Sequence, residues 1–233
     1  MPPADLAAAP VGPQRPNPRP FHREDLLAYL GALAGAAYVA LLIASRLELT
    51  DRADQRITEL IQSRPSTTID RLADAYLVLG DPLVTSAVAL GLCGWIFLRR
   101  ERRSLPFLAP GLILLTSGVE LASKMSLLHP PPPASYVRAA FHMLTTGIDP
   151  NIVSSFPSGH VARVAFLAVL LSVLTGNRSI QVALVVLAGL TIPATVYLGW
   201  HWASDALGGL LLGSGIGVVG TLWARSAPRR AGE

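Results

Sequence analysis

The sequence predicts an all-α protein, a bundle of six transmembrane helices. Three observations point there: a charge-poor composition, a series of long apolar runs, and arginines gathered at alternate ends of those runs. Hydrophobic residues are 51% of the 233 and charged residues 15%, with a mean hydropathy of +0.46. That balance sets aside an ordinary soluble domain.

A hydrocarbon core of about 30 Å takes roughly 17 to 25 apolar residues to cross. Runs near that length cover residues 26–45, 83–98, 105–123, 161–175, 180–198 and 206–224, the second and fourth being short enough to need an extra turn from their flanks. Residues 1–25 are rich in proline and alanine without an apolar core, which predicts a disordered cytoplasmic tail and not a signal peptide. Residues 26–224 then form one six-span domain, followed by a second cytoplasmic tail at 225–233. The connector after the first span reads as one or two short amphipathic helices at the interface, with Ile57, Leu60 and Ile61 as an apolar stripe and Asp51 as a cap. No internal repeat is evident. Cys93, the single cysteine, lies inside an apolar run and reads as a small buried or lipid-facing residue.

The arginines orient the bundle. Segment 99–103, "RRERR", carries four of them and anchors its loop in the cytoplasm. Six spans then put both termini on that side, in agreement with Arg15, Arg19 and Arg23 before the first span and Arg225, Arg229 and Arg230 after the last. Arg178 marks the remaining cytoplasmic turn. The predicted location is therefore the cell membrane, multi-pass, and the pI of 9.7 follows from topology without nucleic acid as a partner.

Three connectors remain outside: 46–82, 124–160 and the short "GWHWASD" at 199–205. They hold most of the chemistry. Ser158 suits a helix N-cap before the fourth span, and Gly159 lets an anion approach the free N–H groups of that first turn. His201 and Asp205 are four apart, so on a helical turn the carboxylate orients the imidazole. Lys124 is the only lysine among 19 basic residues, in a chain that otherwise uses arginine, so a compact ammonium is wanted there. Glu120, one turn before, pairs with it. Two histidines, a lysine and a helix N-terminus on one side of a membrane point to phosphate chemistry. His22, His129 and His142 read as interfacial polar groups, and Tyr197, Trp200 and Trp202 as an aromatic belt, with a wall of the site as the alternative for Trp202.

"SSFPSGH" at 154–160 and "VYLGWHWASDALGG" at 196–209 resemble the second and third motifs of the type 2 phosphatidic acid phosphatase superfamily, membrane lipid phosphatases with a six-helix core. The family pattern is Lys-x6-Arg-Pro, then Pro-Ser-Gly-His, then Ser-Arg-x5-His-x3-Asp. Here the second motif is complete at Pro157 to His160, the third keeps His201 and Asp205, and the first keeps Lys124 and Pro132. Pro131 and Thr195 stand where the family has its two phosphate-clamping arginines. The resemblance, which covers residues 26–224, implies His201 as nucleophile, Asp205 as its support and His160 as general acid and base. It implies Lys124, Ser158 and Gly159 as phosphate-binding groups, a lipid phosphate as substrate, and no cofactor or metal. Arg163, one turn after His160, and Arg138, on the external loop, are candidates to replace the missing clamp; Arg163 also reads as snorkelling to the interface. Two functions follow: hydrolysis of a lipid phosphate or diphosphate, or lipid-phosphate binding on a scaffold that has lost its clamp.

Overall fold

The computed structural model describes residues 22–99, 108–138 and 154–226. Residues 23–25 and 225–226 belong to helices, while residues 1–21 and 227–233 of the two expected tails, residues 100–103 of the "RRERR" loop and His142 lie outside the described residues. Within them the chain is helical: α1 (Arg23–Arg46), α2 (Asp51–Gln62), α3 (Thr67–Leu77), α4 (Pro82–Arg99), α5 (Leu108–Ser126), α6 (Gly159–Thr175), α7 (Arg178–Tyr197) and α8 (Ala203–Ser226). A helix stands at each of the six predicted runs. Three of them, α1, α7 and α8, are each long and apolar enough to cross a membrane. The pair α3 and α4, bent by 44° at Asp81, passes that test jointly. This is a membrane protein.

Helix α6 is the axis. Val161 to Ala168 are all buried, as is Leu170, whereas α1 and α7 expose leucines and valines along their length, as lipid-facing helices do. Without a hydrophobic drive between helices in lipid, close approach relies on small residues. Gly209 and Gly213 of α8 supply it. A Cβ on Gly213 would stand 2.0 Å from the Ala162 carbonyl oxygen, and one on Gly209 2.3 Å from that of Ser158. On the other flank of α6, Phe166, Leu167 and Leu170 pack with Leu108, Leu112, Ile113 and Ala89 of α5 and α4.

Helix α2 is amphipathic: its buried residues are Asp54 and Thr58, Ile61 packs in part against the protein, and Ile57 and Leu60 are exposed. Capping explains the buried carboxylate. Asp54 accepts the Ser204 amide at 2.8 Å and the Ser204 hydroxyl at 2.7 Å, closing the first turn of α8. Thr50, not Asp51, holds the N-cap position of α2.

Candidate active site

The turn between α7 and α8 carries the "GWHWASD" residues. Gly199 has φ +71°, and a Cβ there would lie 2.1 Å from the Tyr136 carbonyl oxygen, so both conformation and space require glycine. Beyond it, His201 and Asp205 share a face, with His201 Nδ1 3.5 Å from Asp205 Oδ2. The same oxygen accepts the Trp202 amide at 2.9 Å. Asp205 is fully buried.

The second motif is tied to this turn through the backbone. Ser158 N–H donates to the Asp205 carbonyl at 2.9 Å, so the start of α6 and the start of α8 form one unit. Ser158 stands at the N-cap of α6, yet its hydroxyl makes no cap hydrogen bond. That Oγ is buried and unpaired. The N-cap position is the one the sequence predicted, but the hydroxyl does not close the first turn. His160, in the first turn of α6, is 3% exposed, with its ring 5.7 Å from that of Trp200.

Lys124, near the end of α5, donates to Glu120 Oε1 at 3.0 Å. Arg163 donates from Nη1 to the other oxygen of Glu120 at 2.9 Å and from Nε to the Gly80 carbonyl at 2.9 Å. Arg163 is 4% exposed, so it does not snorkel; its charge is met inside the bundle. Glu120 also lies against the entrance of α6, its Oε1 only 2.1 Å from where a Cβ on Gly159 would be. His160 is within electrostatic range of Arg163, His201 and Lys124, and Glu120 within that of His201. Lys124, Gly159 and Arg163 thus meet at one carboxylate, that of Glu120, with His160 next to Gly159 at the start of α6.

Arg138 is engaged in another way. Its Nε and Nη2 form a forked pair with Asp70 at 2.7 and 3.1 Å, and its guanidinium lies 5.0 Å from the centre of the Tyr197 ring. The first-motif Pro131 follows His129 and Pro130, whose carbonyl accepts the Trp202 indole N–H at 2.9 Å. Thr195 is fully buried and donates back into its own helix, to Thr191 and Ile192. Among the described residues no cation is seen paired with Thr195 in place of the family arginine.

Other readings from the sequence are corrected here. Tyr197, Trp200 and Trp202 are buried against protein and do not form an interfacial belt. His129 is not an interfacial group: it is 4% exposed, with Nε2 3.4 Å from Asp205 Oδ1. Spacing within one segment could not reveal it, because the contact joins the connector after α5 to α8. Next to the site, Tyr38 of α1 hydrogen-bonds Ser123 at 2.6 Å and stacks on Phe156. Tyr38 also lines an apolar cleft of about 230 Å³ between α1, α5 and α8. Among the described residues no cluster of His, Cys, Asp and Glu has the arrangement of a metal site.

Two solved structures share this architecture. One is the first transmembrane PAP2 type phosphatidylglycerolphosphate phosphatase from Bacillus subtilis, 18% identical, with a TM-score of 0.71 over 87% of this chain and 100% of that one. The other is Aquifex aeolicus LpxE, 22% identical, with a TM-score of 0.55 over 72% of this chain and 93% of that one. No curated protein sequence matches significantly. Residues 108–229, more than half of the chain and inclusive of all three motif regions, match the PAP2 superfamily. With the fold and that match in agreement, the chain belongs to the PAP2 superfamily.

Proposed function

We propose that this protein is an integral membrane lipid phosphatase that hydrolyses a phosphate monoester or diphosphate of a lipid at an extracytoplasmic site, through a phosphohistidine intermediate. The observation that carries the reading is the convergence of His160, His201 with Asp205, and the cations Lys124 and Arg163 at the N-terminus of α6. The six helices are spans, both termini cytoplasmic, as the arginine distribution supports. The Bacillus subtilis structural relative, a phosphatidylglycerolphosphate phosphatase, is consistent with this substrate class; a polyprenyl diphosphate or a polyprenyl-linked sugar phosphate fits it equally.

With Nδ1 of His201 turned to Asp205, its Nε2 is the attacking atom. It forms the N–P bond as the P–O bond to the lipid breaks, and His160 gives its proton to the departing oxygen. Water then attacks phosphorus, the N–P bond breaks, and His160 takes the water proton back. Asp205 stabilises the imidazolium. Lys124, the Ser158 hydroxyl, the Gly159 N–H and Arg163 neutralise the phosphoryl oxygens as charge develops on them. Arg138, held by Asp70, belongs to the wall of the external loop in this scheme, binding the headgroup only if that pair opens. The hydrocarbon chain lies in the apolar cleft next to Tyr38.

Two observations favour the second reading, a lipid-phosphate binding protein. Glu120 already engages both cations, and two family arginines are absent. Phosphate release by the purified protein in detergent, across a panel of phosphatidate, phosphatidylglycerophosphate, polyprenyl diphosphate and polyprenyl-linked sugar phosphate, separates the two. Turnover of any member supports the phosphatase; binding without release from any of them overturns it.

A further inference from the structure

We propose that His129 is a positioning residue of the phosphate-transfer site, holding the second oxygen of Asp205 so that one buried carboxylate serves two imidazoles, His129 and His201. Its kinetic consequence rests on the phosphatase reading above; the contact itself rests on geometry.

The two oxygens of Asp205 have different surroundings. Oδ2 accepts the Trp202 amide at 2.9 Å and faces His201 Nδ1 at 3.5 Å. Oδ1 is buried and has no hydrogen-bond partner; the ring nitrogen that faces it, at 3.4 Å, is Nε2 of His129. That nitrogen is itself buried and unpaired. A buried carboxylate oxygen and a buried imidazole nitrogen, each without another partner, complete one another.

The position of His129 is fixed from both sides of the site. Its carbonyl accepts the Ser155 amide at 2.8 Å and the Ser155 hydroxyl at 3.2 Å. The next carbonyl, that of Pro130, accepts the Trp202 indole. The second-motif segment and the third-motif tryptophan therefore clamp the backbone that carries this ring. Other ionisable groups near Asp205 are His201 from its own turn and Asp54 from α2, which interacts with it electrostatically.

Why a second imidazole helps follows from the softness of an aspartate side chain. Its terminal torsion is broad, so one donor on one oxygen leaves the carboxylate plane free to swing. A donor on each oxygen fixes the plane, and with it the direction in which His201 is held. The loss of His129 is then a loss in kcat, with KM little changed, because the phosphate-binding groups are untouched.

The test compares His129→Leu, which removes the donor, with His129→Gln, which keeps a side-chain N–H. Both are assayed on whichever lipid phosphate the wild type turns over fastest. The leucine variant is expected to lose at least about tenfold in kcat, and the glutamine variant to recover a substantial share of it. Equal kcat in the leucine variant and the wild type, or equal losses in both variants, overturns the proposal. A second measurement does not depend on turnover: imidazole ¹⁵N spectra of histidine-labelled protein in detergent, with the His129 signal assigned by its absence in His129→Gln. The wild type should carry the His129 proton on Nε2, and Asp205→Asn should change that signal. A His129 signal indifferent to Asp205→Asn overturns the contact. If the wild type hydrolyses no lipid phosphate, the phosphatase reading fails and the spectra alone decide this one.

Discussion

Arg163 of α6 meets Glu120 of α5 at 2.9 Å, and both side chains are buried. Removing Glu120 leaves the buried Arg163 charge without its carboxylate, so Glu120→Gln should lower stability in detergent by about 3–5 kcal/mol. Arg163→Ala should cost less, because Lys124 still meets Glu120 at 3.0 Å. Combined, the two losses should fall short of their sum, since removing Arg163 takes away the charge that Glu120→Gln strands. Strict additivity in the unfolding midpoints would mean that the pair is not coupled.

Arg163 also bears on turnover. In the proposed mechanism a charge-assisted partner of the phosphoryl group is worth on the order of 2 to 3 kcal/mol, so Arg163→Ala should slow hydrolysis about 30- to 150-fold. Thr195→Arg, which restores the family residue, should recover part of that rate. Full activity in Arg163→Ala would remove it from the clamp.

His201→Ala and His160→Ala should each abolish phosphate release, whereas Asp205→Asn should leave a small remainder because the imidazole persists without control of its tautomer. Acid-labile phosphate on the protein should accumulate in His160→Ala given a substrate with a good leaving group, and never in His201→Ala. Turnover surviving in His201→Ala would end the phosphohistidine mechanism.

Gly213 lets α8 lie against the backbone of α6. The methyl of Gly213→Ala would fall 2.0 Å from the Ala162 carbonyl oxygen, so the helices must separate and the Ser158 to Asp205 hydrogen bond between them must stretch. A stability loss of about 1–3 kcal/mol is expected, with activity falling alongside. Gly35→Ala meets nothing within 4 Å and should be neutral in the same denaturation assay.

Asp54 responds to pH in an unusual direction. Burial raises its carboxyl above the ordinary 3.8, against the hydrogen bonds from Ser204 that lower it. In the window above 3.8 the folded state therefore holds this proton more tightly than the unfolded chain does, and the stability it contributes is lost as pH rises through the raised value. Asp54→Asn cannot titrate. Relative to that variant, the wild type should lose stability as pH is raised from 4 to 7, measured by thermal unfolding; a constant difference would refute the assignment.

Topology is open to a direct test. A reporter fused at residue 101 should read cytoplasmic and one inserted near residue 147 external, because the arginine-rich 99–103 loop holds its side of the membrane. The reverse pattern would move the site to the inner leaflet.

The sequence by itself determined the helical runs and the family. Apolar length is a local property, and the helices at 82–99, 108–126 and 178–197 follow from it within a few residues. The motif spacing likewise marked His160, His201, Asp205 and Lys124 as candidates, and His201 and Asp205, four apart, do face one another. Only the tertiary structure decided what those groups touch. Nothing local distinguishes an arginine that snorkels from one that is buried, and Arg163 is buried because Glu120, 43 positions earlier in the chain, meets it inside the bundle. His129 reads as an ordinary interfacial histidine until the connector after α5 folds back against Asp205. Tyr197, Trp200 and Trp202 have belt chemistry, yet they are buried in protein: Tyr197 and Trp200 pack on α3, and Trp202 meets Tyr136 and Pro130. Charge compensation and burial are sums over neighbours brought together from distant segments, and a linear pattern does not contain that sum.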